Sequence, residues 1–576
     1  MNDEPTSIWK KPWRGPVKVL AWFGLLAVVV FLTILGISLA LGQNDRLSDL
    51  IASSLAMAVC LVVVGALVML FIRWLCNWRN FRRFLFGVAC FVTLIALAYA
   101  EENWRGKRAW QNYKRQWEAK GEKFTIAALM PPPVPDEKNF ALTPLLKPAS
   151  DFTRGPEGIV WRDTNGLAHL QNIRAADDSL ALGSLEKGTF ADLEACREFY
   201  RGNTNYLQPV SRGNAAEDIL IALGKFDPEI KELREAAVTR PSSRFPIEYD
   251  YEPAWAILLP HLAHMKGLCI LTEVRAIAEL EVGRTTEAFT SLKVGFRLSD
   301  SIRDEPLLID HLVRIATLAI NLQTVREGLV RHAWTDAQLA ELETYLASMN
   351  LLAEYKLGMR GERAFSTAGL DWLRRQGFRE DVMSYIDGYS EDGASAKAPN
   401  LGFNPLPSGW FYQNMLTISR MHQDFTLAAV DEKARRVFPD VSEKLDSTLG
   451  KTRIRPYTIF ARMLMPAMGR AVVKSARMQT YVDEAIVACA LERQRLANGK
   501  LTDMLDAFTP RFIEKIPADL IDGKPLRYRP KPDGGYVIYA VGWNRTDDGG
   551  EMAWTKGTKP GVDATKGDWI WQIPAR

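Results

Sequence analysis

Hydrophobic and polar positions divide the chain sharply. Val19–Leu41, Ile51–Ile72 and Phe84–Ala100 are runs of 23, 22 and 17 residues without Asp, Glu, Lys or Arg. A bilayer core takes about 20 apolar residues of helix, so these runs predict three transmembrane helices (19–41, 51–72, 84–100), the third a short one. Beyond Ala100 the pattern is that of a water-facing protein. ENWRGKRAWQNYKRQWEAKGEKF carries Trp104, Trp110, Tyr113 and Trp117 among charges and predicts a helix continuing from the third run, docked or packed on the next domain. MPPPVPDEKNFALTPLLKP is a linker, because its prolines force extended backbone.

From Ala254 to Gln376 apolar residues recur at helical spacing. LCILTEVRAIAELEVGRTTEAFTSLKVGF reads as a hairpin turning at Gly283, EPLLIDHLVRIATLAINL as a helix entered at Pro306, and Thr335 with Gln338 as a capping box opening another. AELEVGRTTEAF resembles the turn of tetratricopeptide-type (TPR-like) hairpins, without a 34-residue recurrence, so the region is an irregular α-hairpin stack. From Met463 a long helix runs to Asn498-Gly499, a stop signal, followed by a short helix in TDMLDAFTPRFI. Leu526, Tyr528, Val537 and Tyr539 then alternate as a hairpin around Pro532–Gly535.

Charge changes this picture in one respect. The 72 Lys+Arg against 68 Asp+Glu leave a net +4, too little to indicate a nucleic-acid partner. The distribution near the runs matters more: Lys10, Lys11, Arg14 and Lys18 precede the first, and Arg73, Arg79, Arg82 and Arg83 precede the third, whereas the first loop has Arg46 alone. The positive-inside rule therefore predicts a cytoplasmic N-terminus and places residues after Ala100 outside, against which Arg105, Lys107 and Arg108 argue. Trp9, Trp13, Trp74, Trp78 and Trp104 suit an aromatic belt. Six scattered cysteines form neither a disulfide framework nor a zinc motif.

Candidate chemistry is sparse. His261 and His264 stand at i, i+3, a spacing that can place both on one helix face, yet no third ligand is identifiable. Glu248, Asp250 and Glu252 alternate as on a strand edge, which would group them on one side as an acidic site or a solvated edge. Glu362 between Arg360 and Arg363 reads as an ion-paired carboxylate. No GxSxG, Walker loop, GxGxxG before a helix or HExxH occurs.

The end of the chain is more specific. ALERQRLANG closing a long helix, DGKPLRY, a hairpin, YAVGWNRTDDGGE (Tyr539–Glu551) and GDWIW together resemble the globular head of the major pseudopilins of type II secretion, over about 100 residues. The whole chain resembles uncharacterised bacterial multi-pass membrane proteins that carry such a head. The resemblance implies a small α+β domain and a structural calcium ion (Ca2+) held by Asp547, Asp548, Asp563 and Asp568 with carbonyls near Val541; a water-solvated turn cluster is the alternative. Two departures stand out. Lys500-Leu501-Thr502 replaces the Tyr-Pro usual after the Asn-Gly turn, and the long helix bears Arg470, Lys474, Arg477, Asp483 and Glu484, which excludes a membrane-embedded assembly stem.

The expected layout is an anchor (1–100), a juxtamembrane helix and proline-rich linker (101–150), a mixed α region (151–253), a helical hairpin domain (254–455) and a pseudopilin-like α+β domain (463–576). Such a chain is a mainly α protein of the bacterial inner membrane with a periplasmic scaffold. Two functions are open: a non-enzymatic envelope interaction or assembly protein that contacts the lipid bilayer and envelope or secretion-system proteins, or a membrane-tethered hydrolase with its site between 151–253 and the helical domain.

Overall fold

The computed structural model describes residues 16–40, 47–155, 158–173, 180, 182–210, 213–377, 406–451, 453, 455–557 and 561–575. The fold is mainly helical, at 63%, with little sheet. It divides into two compact units, Met1–Glu102 and Asn103–Arg576.

The first unit contains α1 (Pro16–Ala40), α2 (Leu47–Leu75) and the apolar part of α3 (Trp78–Glu118). Among the described residues one helix, α3, is long and apolar enough to cross a membrane, where the sequence predicts three. The apolar stretches described in α1 and α2 are Gly24–Ile37 and Val63–Leu75, each shorter than a crossing. Leu41, Arg46 and the basic and aromatic residues before Pro16 lie outside the described residues. The order of the three runs is thus inverted: the 17-residue run is the part of α3 whose side chains are all left unburied. Its ends are charged, but nothing there stops a helix, and the backbone continues through 41 residues.

The second unit begins with the polar turns of α3. Gly106 crosses Gly409, and a Cβ at Gly106 would lie 2.5 Å from the Gly409 carbonyl oxygen, so only glycine permits this approach. Asn103 Oδ1 accepts from the Gly409 amide at 2.9 Å, and Tyr113 Oη donates to the Ser419 carbonyl. Of the aromatic residues of this helix, Trp110, Tyr113 and Trp117 pack in a cluster with Phe124, while Trp104 is 61% exposed.

Residues 151–253 contain a hairpin of β1 (Phe152–Gly155) and β2 (Gly158–Trp161), then α4 (Thr164–Ile173), α5 (Leu193–Tyr200), α6 (Ala215–Leu223) and α7 (Asp227–Thr239), counting helices of eight or more residues. The hairpin stack follows as α8 (His261–Glu281), α9 (Thr285–Asp300), α10 (Leu308–Val330), α11 (Asp336–Ala347) and α12 (Leu351–Gln376). Gly283 turns α8 into α9 at φ +77°, and the Thr335 and Gln338 side chains each accept from the other's amide, as the capping box requires. Then come α13 (Ser408–Met421), a π-helical turn (His422–Leu427), the two-residue strands β3 (Val430–Asp431) and β4 (Arg436–Val437), and α14 (Pro439–Lys451).

The last helix, α15 (Gly469–Asn498), stops at Gly499, whose φ of +75° is left-handed. Behind it lies an antiparallel sheet of β5 (Arg527–Pro530), β6 (Tyr536–Ala540) and β9 (Trp569–Ile573) in the order β5-β6-β9, with β7 (Met552–Trp554) and β8 (Val562–Gly567) as a separate hairpin. TDMLDAFTPRFI forms only a 3-10 turn, Leu505–Phe508. One core joins Met478, Val482, Ala485 and Leu491 of α15 to Leu318, Leu322 and Leu342 of α10 and α11 on one side and to Ile538 and Trp571 of the sheet on the other. The helix of the α+β region is therefore the centre of the second unit, not the stem of a projecting head. Its charges follow suit: Arg470 and Lys474 are exposed, while Arg477, Asp483 and Glu484 are buried.

Candidate functional site

The loop after β6 is held by its aspartates. Gly549 and Gly550 take left-handed φ of +74° and +79°, which lets the chain fold back so that Asp568 accepts from the amides of Asp548 (3.2 Å) and Gly550 (2.6 Å). Asp547 accepts from Gly549 N at 3.0 Å and faces Arg527 Nε at 2.8 Å; Asp548 accepts from Asn544 Nδ2 at 2.8 Å. Asp563 turns to its own strand, accepting from the Thr565 amide and hydroxyl, with Lys566 Nζ at 3.6 Å. The structure therefore brings Asp547, Asp548 and Asp568 to one loop and leaves Asp563 apart.

These residues do not fit a calcium cage as they stand. Calcium takes six to eight oxygens, whereas among the described residues no group of three or more His, Cys, Asp or Glu side chains converges as a metal site. The cation at the loop is Arg527, whose three guanidinium nitrogens contact Asp547, Asp519 (3.1 Å) and Asp522 (2.6 Å). Burial lifts Asp519 and Asp568 above the ordinary carboxylate range, while for Asp522 the Arg527 and Lys524 hydrogen bonds outweigh burial and lower it. On α15, Glu484 is fully buried and neither carboxylate oxygen has a hydrogen-bond partner; burial and the nearby Asp519 push it well up, toward the neutral form. Sequence reasoning passed over Arg527 and Asp519, although DGKPLRY contains the arginine and its Asp522 partner.

The second constellation gathers around His261. Its Nε2 lies 2.9 Å from Glu305 Oε2, its ring stacks on Phe245 at 4.2 Å, and Asp310 caps the start of α10 by accepting from Leu307 N at 3.1 Å. His261, Glu305, Asp310 and Tyr249 are all buried. Desolvation lowers His261 to about 4 and raises Glu305 and Asp310 well above the usual carboxylate range, so all three tend to neutrality. His264 is buried too, and among the described residues no group of three or more potential metal ligands includes the two histidines. The acidic trio does not gather: Tyr249 and Asp250 form a turn, Glu248 pairs with Arg154 at 3.1 Å, and Glu252 pairs with Arg375 at 2.6 Å. Glu362 does not take its neighbouring arginines. Arg360 and Arg363 both bond Glu122, just beyond the turn that follows α3, at 3.0 and 2.7 Å, and burial lifts Glu362 to about 7.

The third feature is a groove of about 340 Å³ bounded by α7, α9 and α11. Phe289, Val294, Phe296 and Leu342 form its apolar floor, and Val238, 83% exposed, stands at its edge. Lys293 is paired with Glu341 at 3.2 Å, and Asp300 with Arg314 at 3.0 Å. Arg297 donates instead to the carbonyls of Arg240 and Ser242, so its charge meets dipoles rather than a bonded carboxylate. A larger polar cavity of about 410 Å³ lies near Glu122, Arg360 and Gln423 at the π-helical turn. Comparison with protein-family models, with curated proteins and with solved structures finds no match to this chain.

Proposed function

We propose that the chain is a non-enzymatic, membrane-anchored scaffold of the bacterial envelope, whose helical stack engages an acidic and apolar segment of another envelope protein. The observation that carries this reading is the open groove between α7, α9 and α11, with its apolar floor and the bonded-carboxylate-free Arg297. A groove between paired helices is where helical stacks hold extended partners.

Anchoring rests on α3. Trp78 and Trp104 are 26 residues apart, about 39 Å along a helix, close to the roughly 40–45 Å between headgroup layers. With Arg73, Arg79, Arg82 and Arg83 inside, residues after Ala100 lie outside, in the periplasm, whether α3 crosses alone or with α1 and α2. A C-terminal reporter active only outside the cytoplasm is expected to be active; activity of an inside-only reporter would overturn the orientation.

A photo-crosslinking residue in place of Val238 is expected to give one discrete adduct in cells, lost in Arg297→Glu. The same adduct from a crosslinker at exposed Leu496 would refute the groove.

The hydrolase reading has one observation in its favour: His261, Glu305 and Asp310 do meet, at the seam between 151–253 and the helical stack. Against it, the histidine is 0% exposed, and a general base must reach substrate. Loss of an associated hydrolysis on His261→Gln would restore it. The pseudopilin likeness enters here as a proposal about shape alone, and calcium as a proposal that the unfavourable donor arrangement weakens.

A further inference from the structure

We propose that the Arg527 guanidinium is the resident cation of the aspartate loop, filling within the chain the role that the pseudopilin resemblance gives to calcium, so that the loop is held without a metal. This is independent of the groove.

The carboxylates come from two segments. Asp519 and Asp522 lie in the turn before β5, and Asp547 lies in the loop after β6. Arg527, the first residue of β5, stands opposite Tyr539 of β6 and reaches all three, one nitrogen to each. Asp519 is wholly buried as a side chain, and its Oδ2 also accepts from the Val541 amide at 2.8 Å, at the point where β6 enters the loop. The turn, the strand and the loop entrance are thus joined through one planar ion. A guanidinium has five donors in a fixed fork and is always charged, which suits several carboxylates held at different angles. A divalent ion at the same oxygens would have to displace those donors and sit beside a fixed positive charge. Of the other carboxylates brought to the loop, Asp568 is committed to two backbone amides and Asp548 accepts from Asn544 Nδ2.

Hydrogen exchange of the full-length protein in detergent, read on peptides covering 541–551, tests this with calcium chloride or EGTA as the only added probe. Wild-type loop amides are expected to exchange at the same rate in millimolar calcium and in EGTA. In Arg527→Ala they should exchange about tenfold faster in EGTA or more, because the loop opens locally once its cation is gone, and calcium should restore part of the protection by taking the vacated oxygens. Wild-type protection that falls in EGTA would overturn the proposal, as would Arg527→Ala with wild-type protection. The wild-type arm needs no variant. Arg527→Lys covers the case in which the alanine variant unfolds: one ammonium cannot span three carboxylates, so its loop amides exchange faster while those of β6 keep wild-type rates.

Discussion

The molecule treats two groups of acidic side chains in opposite ways. Around His261, the carboxyls of Glu305 and Asp310 share a buried seam with an imidazole, and among the described residues no arginine pairs with them; burial drives each group toward its neutral form. Around Arg527, Asp519, Asp522 and Asp547 share one permanent cation: burial still lifts the innermost, Asp519, but Asp522 lies below the usual carboxylate range despite its burial. A buried carboxyl can lose its charge or keep it with a partner, and the two choices respond differently to mutation and to pH. The first tolerates an uncharged isostere. The second does not tolerate loss of its cation.

Removing that cation is the largest break. Arg527→Ala leaves Asp519, wholly buried as a side chain, without its charged partner, and is expected to cost about 3 kcal/mol in denaturant unfolding. Asp568→Asn comes next. The carboxylate accepts from two amides, an asparagine oxygen serves one, and the expected loss is about 1–2 kcal/mol, read by the same unfolding curve and by faster exchange at Gly550.

The His261 group gives a smaller effect with a characteristic pH sign. Glu305 holds its proton in the folded state well above its ordinary 4.5. Its contribution is therefore fully present below about 4.5 and is lost as pH rises, because the unfolded chain releases the proton first. His261 runs the other way: its folded value of about 4 lies below the ordinary 6.5, so its contribution is lost as pH falls between those values. Glu305→Gln, neutral at every pH, is expected to unfold within about 1 kcal/mol of wild type at pH about 5 and to gain on it steadily toward pH about 8. A variant that gains nothing on wild type between pH about 5 and pH about 8 would show Glu305 to be charged in the folded protein.

The contrast also shows which features can be read from sequence. Gly283, the Thr335–Gln338 box and the Gly499 stop are local devices, so a few neighbouring residues define them and each is where the sequence predicts it. The third apolar run and the helix continuing from it lie where the sequence predicts them, in α3 (Trp78–Glu118), whereas the first two runs predict crossings that the described apolar stretches of α1 and α2 are too short to make. The charges on α15 exclude a membrane-embedded stem but do not name their partners: Asp483 finds Arg435 at 2.6 Å and Arg477 faces Glu186 at 3.6 Å, 48 and 291 positions away. The loop aspartates signalled a cation, but its identity depended on Arg527, brought alongside by the β5–β6 pairing. Periodicity names faces and ends; it does not name the residue across the core.

The smallest effects separate the two readings of the loop most cleanly. A calcium ion held by Asp547, Asp548, Asp563 and Asp568 would make all four first-rank residues, and neutralising any one would loosen the same loop. The guanidinium arrangement ranks them. Asp547 is one of three partners of Arg527 and is 48% exposed, so Asp547→Asn is expected to cost at most about 0.5 kcal/mol, as solvent screens such a pair. Among the described residues Asp563 pairs with Thr565 and Lys566, and Asp563→Asn should leave both unfolding and the exchange of residues 541–551 unchanged, with or without calcium. If Asp563→Asn speeds that exchange as much as Asp568→Asn does, the two carboxylates share a ligand, and the resident cation of the loop is a metal ion.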